Sequence, residues 1–240
     1  MTDGLDRRGV LSGALAAFAL RIGTARGHEG SLFVGCRILD DGFAVSAVDG
    51  HGAMRWSLPL PERGHSVTFH PAQCLGVVFA RRPGRFAVVF DHRAGIAVRR
   101  IDAAAGRHFY GHGTFTADGR FLLTSENDYA TGEGRLGIRD TTDGFRQVGE
   151  IPSHGVGPHD VRLMPDGRTL VVANGGIRTH PDFERTKLNL ETMRPTLAFV
   201  DLADGRLRDA FALPEALHRL SIRHLDVAAD GHIGIAMQYE

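Results

Sequence analysis

At 240 residues, 42% hydrophobic and 23% charged, the chain has the apolar content of an ordinary globular protein and the length for one large domain or two small ones. Its 28 basic and 28 acidic residues cancel, and the adjacent arginines are confined to Arg7-Arg8, Arg81-Arg82 and Arg99-Arg100. That excludes the broad basic face a nucleic-acid partner requires.

Residues 1–27 read as a targeting segment. Arg7-Arg8 directly precede the uncharged run Val10 to Leu20, with small residues near Gly23, Ala25 and Gly27, which is the pattern of a twin-arginine export signal and predicts a periplasmic protein. The run falls short of the about 20 apolar residues that span a bilayer, so no membrane span is expected once the signal is removed. An oxidising compartment would permit a Cys36–Cys74 disulfide, and two buried free thiols are the alternative.

From residue 28 onward the reading is all-β. Three strands are expected first, near 31–36, 43–49 and 53–58. A unit of four short strands then recurs every 46 to 48 residues. Its copies run 65–69, 75–80, 86–91 and 96–101; then 112–115, 121–125, 136–140 and 145–151; then 159–163, 170–173, 197–201 and 207–213. Asp91/Gly95, Asp140/Gly144 and Asp201/Gly205 mark the same turn in each unit, where Asp caps and Gly takes the left-handed position. One helical turn is expected between Pro214 and Leu220, and two strands follow at 223–227 and 233–238. Four-stranded units at this period predict a β-propeller of four-stranded blades, here incomplete, with 17 strands and an unclosed ring that exposes sheet edges. The expected organisation is an export signal at 1–27 and a propeller domain at 28–240.

In a blade the first strand lines the channel, and its start shares a mouth with the end of the second. The starts carry His65, His112, His159 and His224, with Asp160 and Asp226 nearby; the ends carry Ala80, Glu126, Asn174 and Gln238. Imidazoles beside carboxylate and amide oxygens are the ligand types of a divalent transition metal. Register argues for half of this ring. Counted back from Phe69, Phe115, Leu163 and Val227, His65 and His159 stand four residues earlier and His112 and His224 three, so one pair is expected to face the channel. The insertion 175–195 opens on the same mouth as a lid, and Arg81, Arg82 and Arg178 there would suit an anionic ligand. The remaining histidines, His70 and His108 among them, are expected in turns or at exposed strand ends.

The motifs Asp6-Arg7-Arg8, Gly64-His65-Ser66-Val67, Tyr110-Gly111-His112-Gly113, Ser125-Glu126-Asn127-Asp128, Gly157-Pro158-His159-Asp160 and Ala173-Asn174-Gly175-Gly176 together resemble domain-of-unknown-function family 1513, across residues 5 to 240. The resemblance implies a periplasmic seven-bladed propeller that accompanies iron-uptake proteins, one of which would be its partner. It also implies that two to three blades are missing from this chain, and it supplies no catalytic residues. The leading expectation is a non-enzymatic protein that binds a metal, a metal chelate or a partner at the channel mouth. The rivals are a metal-dependent hydrolase of the propeller lactonase type, using Glu126 and Asn174, and a scaffold without a small ligand.

Overall fold

A computed structural model of the chain describes residues 30–183 and 186–240; the export signal expected at 1–27 lies outside them. Among the described residues there are seventeen strands. The first sheet holds β1 (Leu32–Leu39), β2 (Gly42–Asp49) and β3 (Met54–Leu60). The second holds β4 (Gly64–Phe69), β5 (Leu75–Ala80), β6 (Phe86–Asp91) and β7 (Ile96–Asp102), and the third β8 (Arg107–Phe115), β9 (Phe121–Asp128), β10 (Gly134–Asp140) and β11 (Arg146–Pro152). In the fourth lie β12 (Pro158–Leu163), β13 (Thr169–Asn174), β14 (Thr196–Asp201) and β15 (Leu207–Ala212), and in the last β16 (Leu220–Val227) and β17 (Ile233–Tyr239). Every pairing is antiparallel and every sheet is a meander in chain order; of the four 3-10 turns among the described residues, the one at Glu215–Leu217 lies where the helical turn is expected.

The turns follow from their residues. Asp91 Oδ1 accepts the N–H groups of Arg93 and Ala94, and Gly95 closes the turn at φ +68°. Asp140 with Gly144 and Asp201 with Gly205 repeat the device, at φ +60° and +71°. Asp49 with Gly52 adds a fourth copy that the sequence repeat did not bring out.

The core lies between sheets. Successive residues of a strand face opposite ways, and the second strands of the three four-stranded sheets, β5, β9 and β13, have a neighbouring sheet on both sides. Val77 and Phe79 therefore join Phe109, Phe115, Leu122 and Phe145 on one side of β5, while Val78 and Ala80 join Val45, Leu60 and Phe90 on the other. Leu170 and Val172 likewise pack with Leu123 and Leu136, and Val171 and Ala173 with Ile222 and Leu225. Burial on both faces explains why these strands are unbroken apolar runs. The outermost strands β7 and β15 are largely exposed. At the two ends of the array Phe33 of β1 and Tyr239 of β17 are also exposed. Cys36 and Cys74 are both free thiols; Cys36 packs against the core beside Val45, and burial pushes its thiol up to about 11.

Strand β8 starts five residues before the sequence indicated, and His108 is fully buried rather than exposed. Asn127 Nδ2 donates to His108 Nε2 at 3.0 Å and to Thr179 O at 2.9 Å, which leaves the ring proton on Nδ1, 2.9 Å from Phe109 O. Tyr110 donates its hydroxyl to Ile177 O at 3.2 Å. The described part of the 175–195 insertion is thus fastened by buried polar contacts, with Ile177 and Met193 inside the fold.

Truncating Phe79 in the interface between the second and third sheets should cost about 3–5 kcal/mol in urea unfolding of Phe79→Ala. Burial, the largest cause, holds the His108 imidazole at about 4 against its ordinary 6.5. Between those values the unfolded chain binds a proton that the folded chain refuses, so stability present above 6.5 is lost as the pH falls toward about 4. A melting series across that range should show a steeper fall for the native chain than for His108→Gln, the difference approaching about 3 kcal/mol.

Candidate metal centre

The first strands of four successive sheets, β4, β8, β12 and β16, lie side by side, each packed on the next. Each carries one histidine of the expected ring. All four come together: one nitrogen from each of His65, His112, His159 and His224 lies within 4.8 Å of the others. Ring centroids stand between 4.9 Å, for His65–His112 and His159–His224, and 5.9 Å, for His65–His224.

The expectation that one pair would face away is corrected, and each of these strands carries a slip of pairing next to its histidine. Pairing of β4 with β5 slips between Gly64 and Val67, of β8 with β9 between Phe109 and Gly113, of β12 with β13 between Pro158 and Asp160, and of β16 with β17 between Ile222 and His224. A bulge inserts extra residues on one strand and re-aims the side chains there. His65, His112 and His159 sit within the slipped segments, so counting by twos from Phe69, Phe115 and Leu163 does not give their direction, whereas His224 lies in regular pairing through to Val227 and keeps the direction that alternation gives it. Gly111 makes room for the cluster: it has φ +109°, and a Cβ there would stand 2.5 Å from the ring of His65.

Burial differs around the ring. His112 and His159 are buried, His65 is half-buried and His224 is exposed, so the cluster opens on one side. His65 Nε2 and His159 Nε2 face each other at 3.4 Å. Two nitrogens on one tetrahedral ion with bonds of about 2.0–2.1 Å stand about 3.3 Å apart. This pair already has that spacing, and a separation at the 4.8 Å limit would close by about 1.5 Å on a shared ion.

Asp160, fully buried, supports the ring from behind. Its Oδ1 stands 3.2 Å from His112 Nδ1 and accepts from Val161 N and Arg162 Nη1, while Oδ2 accepts from Leu225 N across to β16. Burial pushes this carboxyl up, but the contacts from His112, Arg162 and Leu225 hold it below the usual range. Neither ring nitrogen of the buried His112 has a hydrogen-bond partner among the described residues, although the Asp160 carboxylate stands close to Nδ1, where it can orient the ring. His65, His159 and His224 are kept neutral, with lone pairs to offer. Burial, then the neighbouring His112 and His224, lower His65 to about 3; burial and His112 lower His159 and His224 as well.

The other expected site residues are placed differently. Glu126 lies in the interface with the second sheet, where Oε1 accepts from Thr124 Oγ1 at 2.6 Å and from Arg139 Nη2 at 3.2 Å, and Arg139 covers the Phe109 ring. Burial pushes its carboxyl up against the pull of Arg139. Asn174 is bound to Ser153 and Thr196 and bridges β13 to its neighbours. Asp226 is exposed and accepts from Val227 N. Ends of second strands share a mouth with starts of first strands, but side chains there point to either face of the blade, and Glu126 points into the core. Gln238 does reach the mouth.

Above the ring is a cavity of about 330 Å³ lined by His65, His159 and His224 together with Arg81, Arg82, Tyr110, Lys187, Arg223 and Gln238. Lys187, Tyr110 and Arg223 were not expected from the sequence. Adjacency to His224 is a signal for Arg223, whereas nothing local marks Lys187. Arg178, expected at this mouth, instead packs against Gly132.

No curated protein matches the chain. Among solved structures it is similar to hydrazine synthase of Kuenenia stuttgartiensis, with a TM-score of 0.62 and 18% identity over 82% of this chain and 50% of that one. The chain thus spans about half of that protein's length, and the likeness speaks for the fold, a partial propeller of four-stranded blades, alone. No helix among the described residues is long and apolar enough to cross a membrane. Residues 58–240 match the family described as protein of unknown function (DUF1513), which is more than half of the chain, and the protein belongs to that family.

Proposed function

We propose that this protein is an exported, non-enzymatic binding protein whose four-histidine ring holds one divalent transition-metal ion. The observation that carries this reading is the convergence of four imidazoles from four different sheets, with a buried nitrogen of His112 left without a partner. Such a nitrogen costs about 1–3 kcal/mol when nothing bonds to it. A metal ion offsets that cost.

The donor set is all nitrogen, because Glu126, Asn174 and Asp226 lie elsewhere. Imidazole suits zinc, copper, nickel and ferrous iron, whereas ferric iron favours oxygen donors. A link to iron acquisition, through a periplasmic iron-uptake partner, therefore requires iron in the ferrous state. The arginine pair and uncharged run of residues 7–20 support a periplasmic location reached by the twin-arginine route. A hydrolase of the lactonase type has less support, since Glu126 is tied to Arg139 in the core and no carboxylate among the described residues lines the cavity.

Titration calorimetry of the metal-free protein with zinc should show one ion per chain. His112→Ala should weaken binding by about a hundredfold or more, and Asp160→Asn, which keeps all four ligands, by about 10–100-fold. Unaltered affinity in His112→Ala would remove the ring as the binding site.

A further inference from the structure

The four imidazole rings stand almost equally far from one another. Their centroids are 4.9 Å apart for His65–His112 and His159–His224, 5.1 Å for His112–His159 and His112–His224, 5.3 Å for His65–His159 and 5.9 Å for His65–His224. An ion bonded at about 2.0–2.1 Å to one nitrogen of each ring lies about 3.2 Å from each ring centre. At the corners of a tetrahedron such centres are about 5.2 Å apart in every pair, whereas in a square plane four pairs close to about 4.5 Å and two opposite pairs open to about 6.4 Å. The observed distances bracket the tetrahedral value. They also fit no square, because the two opposite pairs of a square share no member and the two longest distances here both belong to His65.

We infer that the four histidines form a tetrahedral cage that selects its ion by geometry: zinc is the occupant it fits, and nickel(II) and copper(II), which favour a square or tetragonal set of nitrogens, are disfavoured. This inference rests on the metal reading and adds the class of ion to it. Cobalt(II) and ferrous iron, which make no comparable demand for a square plane, remain admissible. The protein opposes flattening of the cage. The first strands follow one another in the order β4, β8, β12, β16, so a square would set His65 opposite His159 and His112 opposite His224. Each of those pairs would have to part by about 1 Å or more. His159 and His112, one from each pair, are buried, and His65 sits against Gly111, where even a Cβ would stand 2.5 Å from its ring. A close-packed interior resists displacements of that size. Four protein nitrogens at four corners also leave no position for water, which is the closed arrangement of a site that holds its ion rather than one that hydrolyses with it.

The test sets cobalt(II) against nickel(II) on the full metal-free chain, because an unconstrained set of nitrogen donors binds nickel more tightly and a tetrahedral cage reverses that order. Equilibrium dialysis against equal concentrations of the two ions, followed by elemental analysis, should leave at least about a tenfold excess of cobalt on the protein. The cobalt-loaded chain should show the intense visible bands of a four-coordinate tetrahedral ion rather than the faint bands of a six-coordinate one. One ion per chain with nickel equal to or above cobalt, or with faint cobalt bands, overturns this inference and leaves the metal reading standing. A chain that retains neither ion overturns both.

Discussion

The site depends on an irregularity of the backbone. A first strand with unbroken alternation would send His65 and His159 to one face and His112 and His224 to the other. Slips of pairing at His65, His112 and His159 break that alternation, and those three imidazoles join His224, whose strand is regular from there to Val227, on one axis. Bulges cost ladder hydrogen bonds, and four in equivalent places on four sheets are the mark of a shared requirement. The requirement is visible in what the bulges bring together: four imidazoles whose nitrogens lie within 4.8 Å.

Around that axis the rest of the chain acts as a frame. The apolar strands β5, β9 and β13 bury both faces, so each of the three full blades is fixed by its two neighbours, and their first strands cannot shift without disturbing the clusters around Phe79, Leu123 and Ile222. Asp160 joins this frame to the site, because one carboxylate meets His112 and ties β12 to β16. The insertion after β13 is fastened through His108, Asn127 and Tyr110 and delivers Lys187 to the rim. Packing, support and charge thus meet at a single mouth.

Much of the fold was legible in the sequence because its signals are local. Asp-x-x-x-Gly turns, short apolar runs and a repeat of 46 to 48 residues each act within a few residues, and the strands they indicate are the strands observed. The identity of the ring was legible too, since His65, His112, His159 and His224 recur at one place in the repeat. Its geometry was not, because a bulge depends on the pairing of two strands and leaves no mark on either one. Glu126 shows the same limit from the other side. Its position in the repeat brings it near the mouth, while only the partner strand, with Arg139 waiting on β10, shows that it turns into the core. His108 went unseen because its partners, Asn127 and Thr179, lie 19 and 71 residues away.

X-ray absorption at the metal edge of the zinc-loaded protein tests the central claim most directly. Four imidazoles on one ion predict a first shell of nitrogen at about 2.0–2.1 Å, with the outer-shell pattern of histidine rings and no sulfur. A shell near 2.3 Å from a cysteine thiolate, or one without imidazole scattering, would contradict it.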